Sequence, residues 1–319
     1  MIYLDIHGRL GNQLFQYAYA RYLMKYSNDE LTINFQSFIN ESRGQRQKGW
    51  EDSLRFFQTI NYRTYRDRKC KKSFTFFMSV TKEKLQKILI FIYFIIKKLP
   101  FKENLKKKAL NKVNKLLLKK NIIFELDSYI NFTPQKGKDI ILQGYFENPL
   151  YFHQIHDELI NELKPKELSK EALKLIKLIR TTQSSVCLSI RTYNEIKHDQ
   201  KWFEKYNVCD ENYFKEAMNY MKKIYAKPTF FLFSDDINWV LSNYNLKDYN
   251  IIPCNSFENS AEALFTMGQC ENFIISNSTF SWWGQYLSQN KHKKVVCPKI
   301  WNNNSTDSPL IDINKWKLI

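Results

Sequence analysis

One feature constrains this chain more than any other: a succession of short, unbroken apolar runs between residues 166 and 319. They read VCLSI, TFFLFS, NIIP, NFIIS and KVVCP, with helical stretches from Glu211, Asp236, Ser260 and Phe280 between them. A strand with one wet face alternates apolar and polar residues, whereas a strand covered by helices on both faces is apolar throughout. Buried strands alternating with helices give a parallel sheet with crossover helices. Five such strands after the Pro165 punctuation predict a Rossmann-like half, residues 166–319.

The N-terminal half, 1–165, opens the same way. Strand IYLDI is followed by a helix from Gly11 to Tyr26, on which Leu14, Phe15, Ala18 and Tyr22 recur at helical spacing, and then by strand LTINF. A further strand, IILQGYF, lies in the segment 127–163 that links the halves. With 319 residues and 44% hydrophobic content, two cores can be filled. The middle of this half differs in texture. From Lys82 to Lys120 it holds many lysines and two acids, Glu83 and Glu103, and reads as two helices broken at Pro100. Such an insertion is either a solvated helical pair with a basic face or a surface that rests on anionic lipid.

The net charge of +17 directs the chain toward anionic partners. Nucleic acid is disfavoured, because the lysines concentrate in one zone and no recognised nucleic-acid motif is present. Six cysteines stand singly with no CxxC pair, which argues against a zinc site and for reduced core thiols. Met1 runs straight into a strand, so no secretory leader is expected. The apolar run Ile88 to Ile96 is far shorter than the roughly 20 residues a spanning helix needs. The expectation is a cytoplasmic protein, peripheral at most at the inner face of a plasma membrane.

In an open α/β sheet, ligands sit beyond the carboxyl ends of the strands. Four such ends are polar here. The first is His7-Gly8-Arg9-Leu10-Gly11-Asn12-Gln13. Its GxxG spacing matches neither a dinucleotide fingerprint nor a Walker loop. It is either a plain strand-to-helix turn or a diphosphate cradle at a helix N-terminus, with Asn12 and Gln13 adding side-chain donors. Arg191 directly follows VCLSI and must meet an anion or a carboxylate; its fork suits phosphate oxygens. Ser234-Asp235-Asp236 follows TFFLF and reads as an N-cap or, less readily, as a carboxylate pair for a metal. Ser276-Asn277-Ser278-Thr279-Phe280 opens a helix on which Trp282 and Trp283 are adjacent. Adjacent residues do not share one helical stripe, so at least one tryptophan is expected between domains or against a ligand.

These same loops carry a resemblance. GRLGNQLFQYAYARYL, QGYFENPLYF, FLFSDD and ISNSTFSWWGQYL resemble, in order along nearly the whole chain, the motifs of the bacterial α-1,2-fucosyltransferases and, more loosely, of the wider fucosyltransferase superfamily. The Lys-rich segment carries no such likeness. The resemblance implies a GT-B-like fold of two facing Rossmann-like domains, with an acceptor-side half at 1–165 and a donor half at 166–319. It implies GDP-fucose as donor substrate, no metal or other cofactor, and inverting transfer of L-fucose to a hydroxyl, usually O2 of galactose in a glycan. Acceptors of such bacterial enzymes are often lipid-linked, as in O-antigen or capsule synthesis.

The residue roles that follow from the resemblance are these. Arg191 meets the diphosphate, and Asn12 is the loop position that serves the reacting sugar. His7, Gly8, Gly11, Gln13, Ser189, Asn194, Ser234, Asp235, Asp236, Asn277, Ser278, Thr279 and Phe280 surround the donor. The family has His-x-Arg-Arg-x-Asp where this chain has Ser189-Ile190-Arg191-Thr192-Tyr193-Asn194, and often Gln at Glu147. The first arginine is kept, while the His that helps hold guanine is Ser189. Glu147, Glu195 and Asp5 are candidates for the base that takes the acceptor proton, unless the leaving phosphate takes it. Two alternatives stay open: the same fold with another nucleotide sugar, and a catalytically degenerate protein that binds membrane surfaces.

Overall fold

The computed structural model describes residues 1–27, 30–35, 51–64, 80–100, 102–125, 129–134, 137–304 and 307–319. Among the six cysteines, Cys70 lies outside them. The chain forms two compact units, one of Met1–Asp52 and Thr59–His156, the other of Ser53–Gln58 and Asp157–Ile319.

The first unit contains β1 (Ile2–Asp5), α1 (Leu10–Ser27), β2 (Leu31–Asn34), β3 (Arg63–Thr64), α2 (Val80–Lys98), α3 (Glu103–Leu118), β4 (Ile122–Glu125) and β5 (Ile140–Gly144). Its sheet is parallel throughout, in the order β3-β2-β1-β5-β4. The order reverses between β1 and β5, where Asp5 pairs with Gln143. Helix α1 is more buried than an amphipathic pattern requires: Phe15, Tyr17 and Tyr19 lie within it beside fully buried Gln13 and Gln16. The Lys-rich segment is the expected pair of helices, α2 and α3, separated around Pro100. Its inner side packs Leu89, Tyr93, Val113 and Leu117 against Ile122 and Phe124 of β4.

The second unit begins with α4 (His156–Glu162), whose first residue belongs to the first unit, and α5 (Lys170–Thr181). It continues with β6 (Ser185–Ile190), α6 (Gln200–Tyr206), α7 (Glu211–Ile224), β7 (Thr229–Ser234) and α8 (Ile237–Asn243). Then follow β8 (Asn250–Pro253), α9 (Ser260–Met267), β9 (Asn272–Ile275), α10 (Thr279–Tyr286), β10 (Val295–Cys297) and β11 (Lys317–Leu318). The sheet runs β11-β10-β9-β6-β7-β8, all parallel. Counted from β6, that is the doubly wound Rossmann order. The sixth strand is two residues long, too short to show as an apolar run. Val186, Leu188, Phe230, Leu232 and Ile274 fill the core under Phe214 and Met218 of α7.

Both Trp282 and Trp283 are buried, at 2% and 0% exposure, and Trp282 Nε1 donates to Leu310 O at 3.0 Å within the second unit. The C-terminal segment thus anchors the first ring of the tryptophan pair. The five described cysteines, Cys187, Cys209, Cys254, Cys270 and Cys297, are free and buried.

Candidate active site

Each sheet reverses its strand order at one point, which is where an open α/β sheet forms its ligand crevice, and the sequence-selected residues gather at both. In the second unit the crevice lies between β6 and β9. Register does the positioning. Ile190 pairs with Ser234, so Arg191 and Asp235, the next residues of each strand, are neighbours. The Arg191 guanidinium bonds Asp235 Oδ2 through Nη1 and Glu195 Oε1 through Nη2. It also lies over the Tyr193 ring, 5.0 Å from its centroid. Thr192 fixes Asp235 at both oxygens, its N–H donating to Oδ1 at 2.8 Å and its hydroxyl to Oδ2, the oxygen that Arg191 also takes, at 2.9 Å. Tyr193 adopts a left-handed φ of 55° and donates its hydroxyl to Asn277 O at 2.8 Å, which ties the loop after β6 to the loop after β9. Burial holds its phenol well above the usual range, so it stays a donor.

Helix α10 starts at this crevice. Ser278 is its N-cap residue, and its hydroxyl makes no capping bond. Thr279 and Phe280, both partly exposed, form the first turn, where helix N–H groups and the positive dipole end suit an anion. Asn277 is buried and structural: its amide donates to Tyr206 O and Trp301 O at 2.8 and 2.9 Å. Ser189, where the resemblance leads one to expect a His, is also buried. Its hydroxyl bonds Ser281 at 2.7 Å, and Ser281 bonds Ser276 at 3.2 Å, a hydroxyl chain that joins β6 and α10.

The three residues after TFFLF have separate tasks. Asp236 caps α8, accepting from Trp239 N at 3.1 Å, and accepts from Asn194 Nδ2 at 3.1 Å. Ser234 Oγ accepts from Asp236 N at 3.1 Å. The two carboxylates therefore point to different partners rather than to one centre. Among the described residues no three His, Cys, Asp or Glu side chains converge as metal ligands. Asn194 Oδ1 is a buried acceptor without a hydrogen-bond partner among the described residues.

In the first unit the crevice lies between β1 and β5. Gly8 has a φ of +74°, and a Cβ there would stand 2.5 Å from Asn12 Nδ2, so the loop depends on glycine to let the Asn12 amide fold over it. The two glutamines of the next turn hold the loop. Gln13 Nε2 donates to Gly8 O at 3.1 Å and Glu51 O at 2.8 Å. Gln16 both accepts from His7 N and donates to His7 O, each at 2.8 Å. Gln13 is thus a brace of the loop, and Gly11 is buried in α1 behind it. Asp5 accepts from Asn34 Nδ2 at 3.0 Å, and His7 Nε2 lies 3.6 Å from its other oxygen.

The loop after β5 explains the QGYFENPLYF stretch. Gly144, with φ +152°, passes directly against the Glu125 carbonyl, where any Cβ would collide. Phe146 turns back with φ 53°, and its N–H donates to Glu125 Oε2 at 2.9 Å. Asn148 then caps a 3₁₀ turn, accepting from Leu150 N at 3.0 Å. Phe146 and Tyr151 pack on Tyr19 of α1, with ring centroids 4.9 and 4.4 Å away. Glu147 rides on this rack without a hydrogen-bond partner among the described residues. Burial, and after it the charge of Glu125, push its carboxyl up to about 7. Glu195, by contrast, is engaged with Arg191.

Sequence reasoning alone did not single out Tyr193, Ser281 or Glu125. Strand register is the signal that places them, since the residues after Ile190 and Ser234, and those at Glu125 and Gly144, become neighbours only once pairing is known.

Sequence comparison then gives the class. The profile described as Glycosyl transferase family 11 matches residues 1–317, so the protein is a glycosyltransferase. The chain belongs to glycosyl transferase family 11. It is 28% identical to the O-antigen biosynthesis glycosyltransferase WbnK of Escherichia coli, over 95% of this chain and 97% of that one. It is 27% identical to an alpha-1,2-colitosyltransferase of Escherichia coli, over 92% and 90% of the two chains. A galactoside alpha-(1,2)-fucosyltransferase 2 of Sus scrofa is 22% identical over 48% of this chain and 46% of its own. Among solved structures, the fucosyltransferase NodZ from Bradyrhizobium aligns with a TM-score of 0.46 at 11% identity, over 89% and 92% of the chains.

Proposed function

We propose that this enzyme transfers L-fucose from GDP-fucose to a glycan hydroxyl, O2 of a galactose, with inversion and without a metal. The acceptor would be a lipid-linked oligosaccharide or cell-surface polysaccharide precursor such as an O-antigen or capsule unit, met at the cytoplasmic face of a bacterial membrane. Family membership and the names of the relatives support the transfer. The observation that carries the donor assignment is Arg191, set by register at the strand-order reversal beside the uncapped N-terminus of α10.

In the transfer, the acceptor oxygen forms its bond to the anomeric carbon while the bond from that carbon to the β-phosphate oxygen breaks. Charge builds on the diphosphate. Arg191 and the first N–H groups of α10 are donors fixed before the reaction begins. One such group typically contributes about 3 to 4 kcal/mol to the transition state. The incoming diphosphate would take the place of Asp235 and Glu195 at the guanidinium. Asn194 Oδ1 is the acceptor on offer to a base N–H. The roles that fall to the first unit are those of the sugar and acceptor: Asn12 for the reacting sugar, and Glu147, whose carboxyl titrates near neutrality, for the acceptor proton.

A second reading keeps the fold and changes the sugar. The colitosyltransferase relative favours it, because colitose is fucose without its 3-hydroxyl. Titration calorimetry with GDP, ADP and UDP in the presence of a chelator tests the donor class, and transfer assays with GDP-fucose test the sugar. Preferential GDP binding with fucosyl transfer is the expected result. GDP binding without fucosyl transfer supports the second reading, and preference for another base overturns both.

A further inference from the structure

We propose that the outer side of the α2–α3 hairpin is a docking surface for an anionic lipid bilayer. Helix α2 is apolar on two sides. One side is buried against β4 through Leu89 and Tyr93. The other carries Ile88, Phe91, Ile92, Ile95 and Leu99, spaced three or four residues apart and 37–65% exposed. Large apolar side chains exposed along one contiguous helix stripe mark an interaction site. Helix α3 supplies the charge. Lys108, Lys112, Lys115 and Lys119 recur at the same helical spacing and are exposed, with exposed Leu105 and Leu116 beside them. From Lys82 to Lys120 there are 13 lysines against Glu83 and Glu103.

Apolar side chains next to a row of cations are what a headgroup–acyl boundary recognises. Nucleic acid would satisfy the lysines and leave the stripe in water. A second copy of this chain would bring the same lysines into repulsion. Spanning is excluded for α2 by length: its uncharged run from Ile88 to Ile96 rises about 14 Å, against about 30 Å of hydrocarbon. No helix among the described residues is long and apolar enough to cross. The surface therefore lies on the bilayer. It goes beyond the transfer reaction, because it holds whichever sugar is carried.

The test is co-sedimentation of the full chain with phosphatidylcholine vesicles with and without phosphatidylglycerol, at low and high salt. The parent is expected to pellet with the anionic vesicles alone, and less so at high salt. Each lysine near such a surface contributes about fivefold, so Lys108→Gln/Lys112→Gln/Lys115→Gln/Lys119→Gln should weaken binding about 600-fold. Phe91→Asp/Ile95→Asp should abolish it. Circular dichroism confirms that both variants are folded, and both should transfer sugar to a soluble acceptor at the parent rate. Variants that pellet like the parent would overturn the proposal. So would equal binding to neutral vesicles, absent vesicle binding with retention of polynucleotide, or a dimer dispersed by Phe91→Asp. Failure of transfer in the parent would overturn the donor assignment and leave the vesicle result standing.

Discussion

The two crevices are built alike and equipped differently. Each lies where a parallel sheet reverses its strand order, and each is bordered by the loop after its central first strand, β1 or β6. At β6 that loop carries an arginine clamped by two carboxylates and an aromatic face, beside a helix N-terminus without a side-chain cap. At β1 it carries a glycine turn folded under an asparagine, with an Asp–His pair on one side and the loop bearing Glu147 after β5. The difference teaches that fold repetition does not repeat chemistry. One crevice gathers a guanidinium and a helix N-terminus, groups that suit an anion, while the other gathers carboxylates and an imidazole.

The largest effect expected from breaking this division is at Arg191. Arg191→Ala should lower transfer about 1,000-fold or more with the fold intact, as single-turnover assays and circular dichroism would show. A variant near the parent rate would sink the assignment of the diphosphate to the second unit. Next comes Glu147. As a base it works ionised, so the rate should rise with pH and level off above about 7. Glu147→Gln should cost about 100-fold at alkaline pH and flatten that limb. An unchanged profile would hand the proton to the leaving phosphate.

Linkage gives the same residue a second readout. Its folded pKa is raised, so the native state binds the extra proton between about 4.5 and about 7, and stability falls across that window as pH rises. Glu147→Gln should therefore be more stable than the parent above pH 7 and match it in acid, as urea titrations at several pH values would show.

Smaller effects sharpen the comparison. Gly144→Ala forces a Cβ into the Glu125 carbonyl and should cost about 2 kcal/mol of stability, read from the shift of the denaturant midpoint. An unchanged midpoint would mean that the rack under Glu147 is soft. The smallest effect concerns Glu195, which under the proposed donor site would compete with the diphosphate for Arg191. Glu195→Gln should tighten GDP about fivefold, the scale of one partly exposed ion pair. Weaker binding would recast Glu195 as the residue that aims the guanidinium.

Much of this arrangement was legible in the sequence because buried parallel strands leave unbroken apolar runs. VCLSI, TFFLFS and NFIIS became β6, β7 and β9, and the polar residues after them are the crevice. The helix pair around Pro100 was legible for a similar reason, a change of composition marked by a proline. Strand β4 was not: IIFE follows a lysine-rich helix and reads as its continuation. Strand order was not legible either, since runs apolar on both faces do not encode their neighbours. That is why Asp235 could be seen as a cap but not as the partner of Arg191. Gln13 illustrates the remaining limit. An amide in a helix's first turn looks available to a ligand, and only packing shows it committed to Gly8 and Glu51.

The cysteines offer a use that neither crevice suggests. All five described thiols lie in the second unit, and the first has none among its described residues. Burial holds Cys209, Cys254, Cys270 and Cys297 far from thiolate formation. With Cys70 replaced by serine, the rate of alkylation becomes a clock for the opening of the second unit alone. Slowing of that clock by GDP would place the nucleotide in this unit, with no label attached and no sugar transferred.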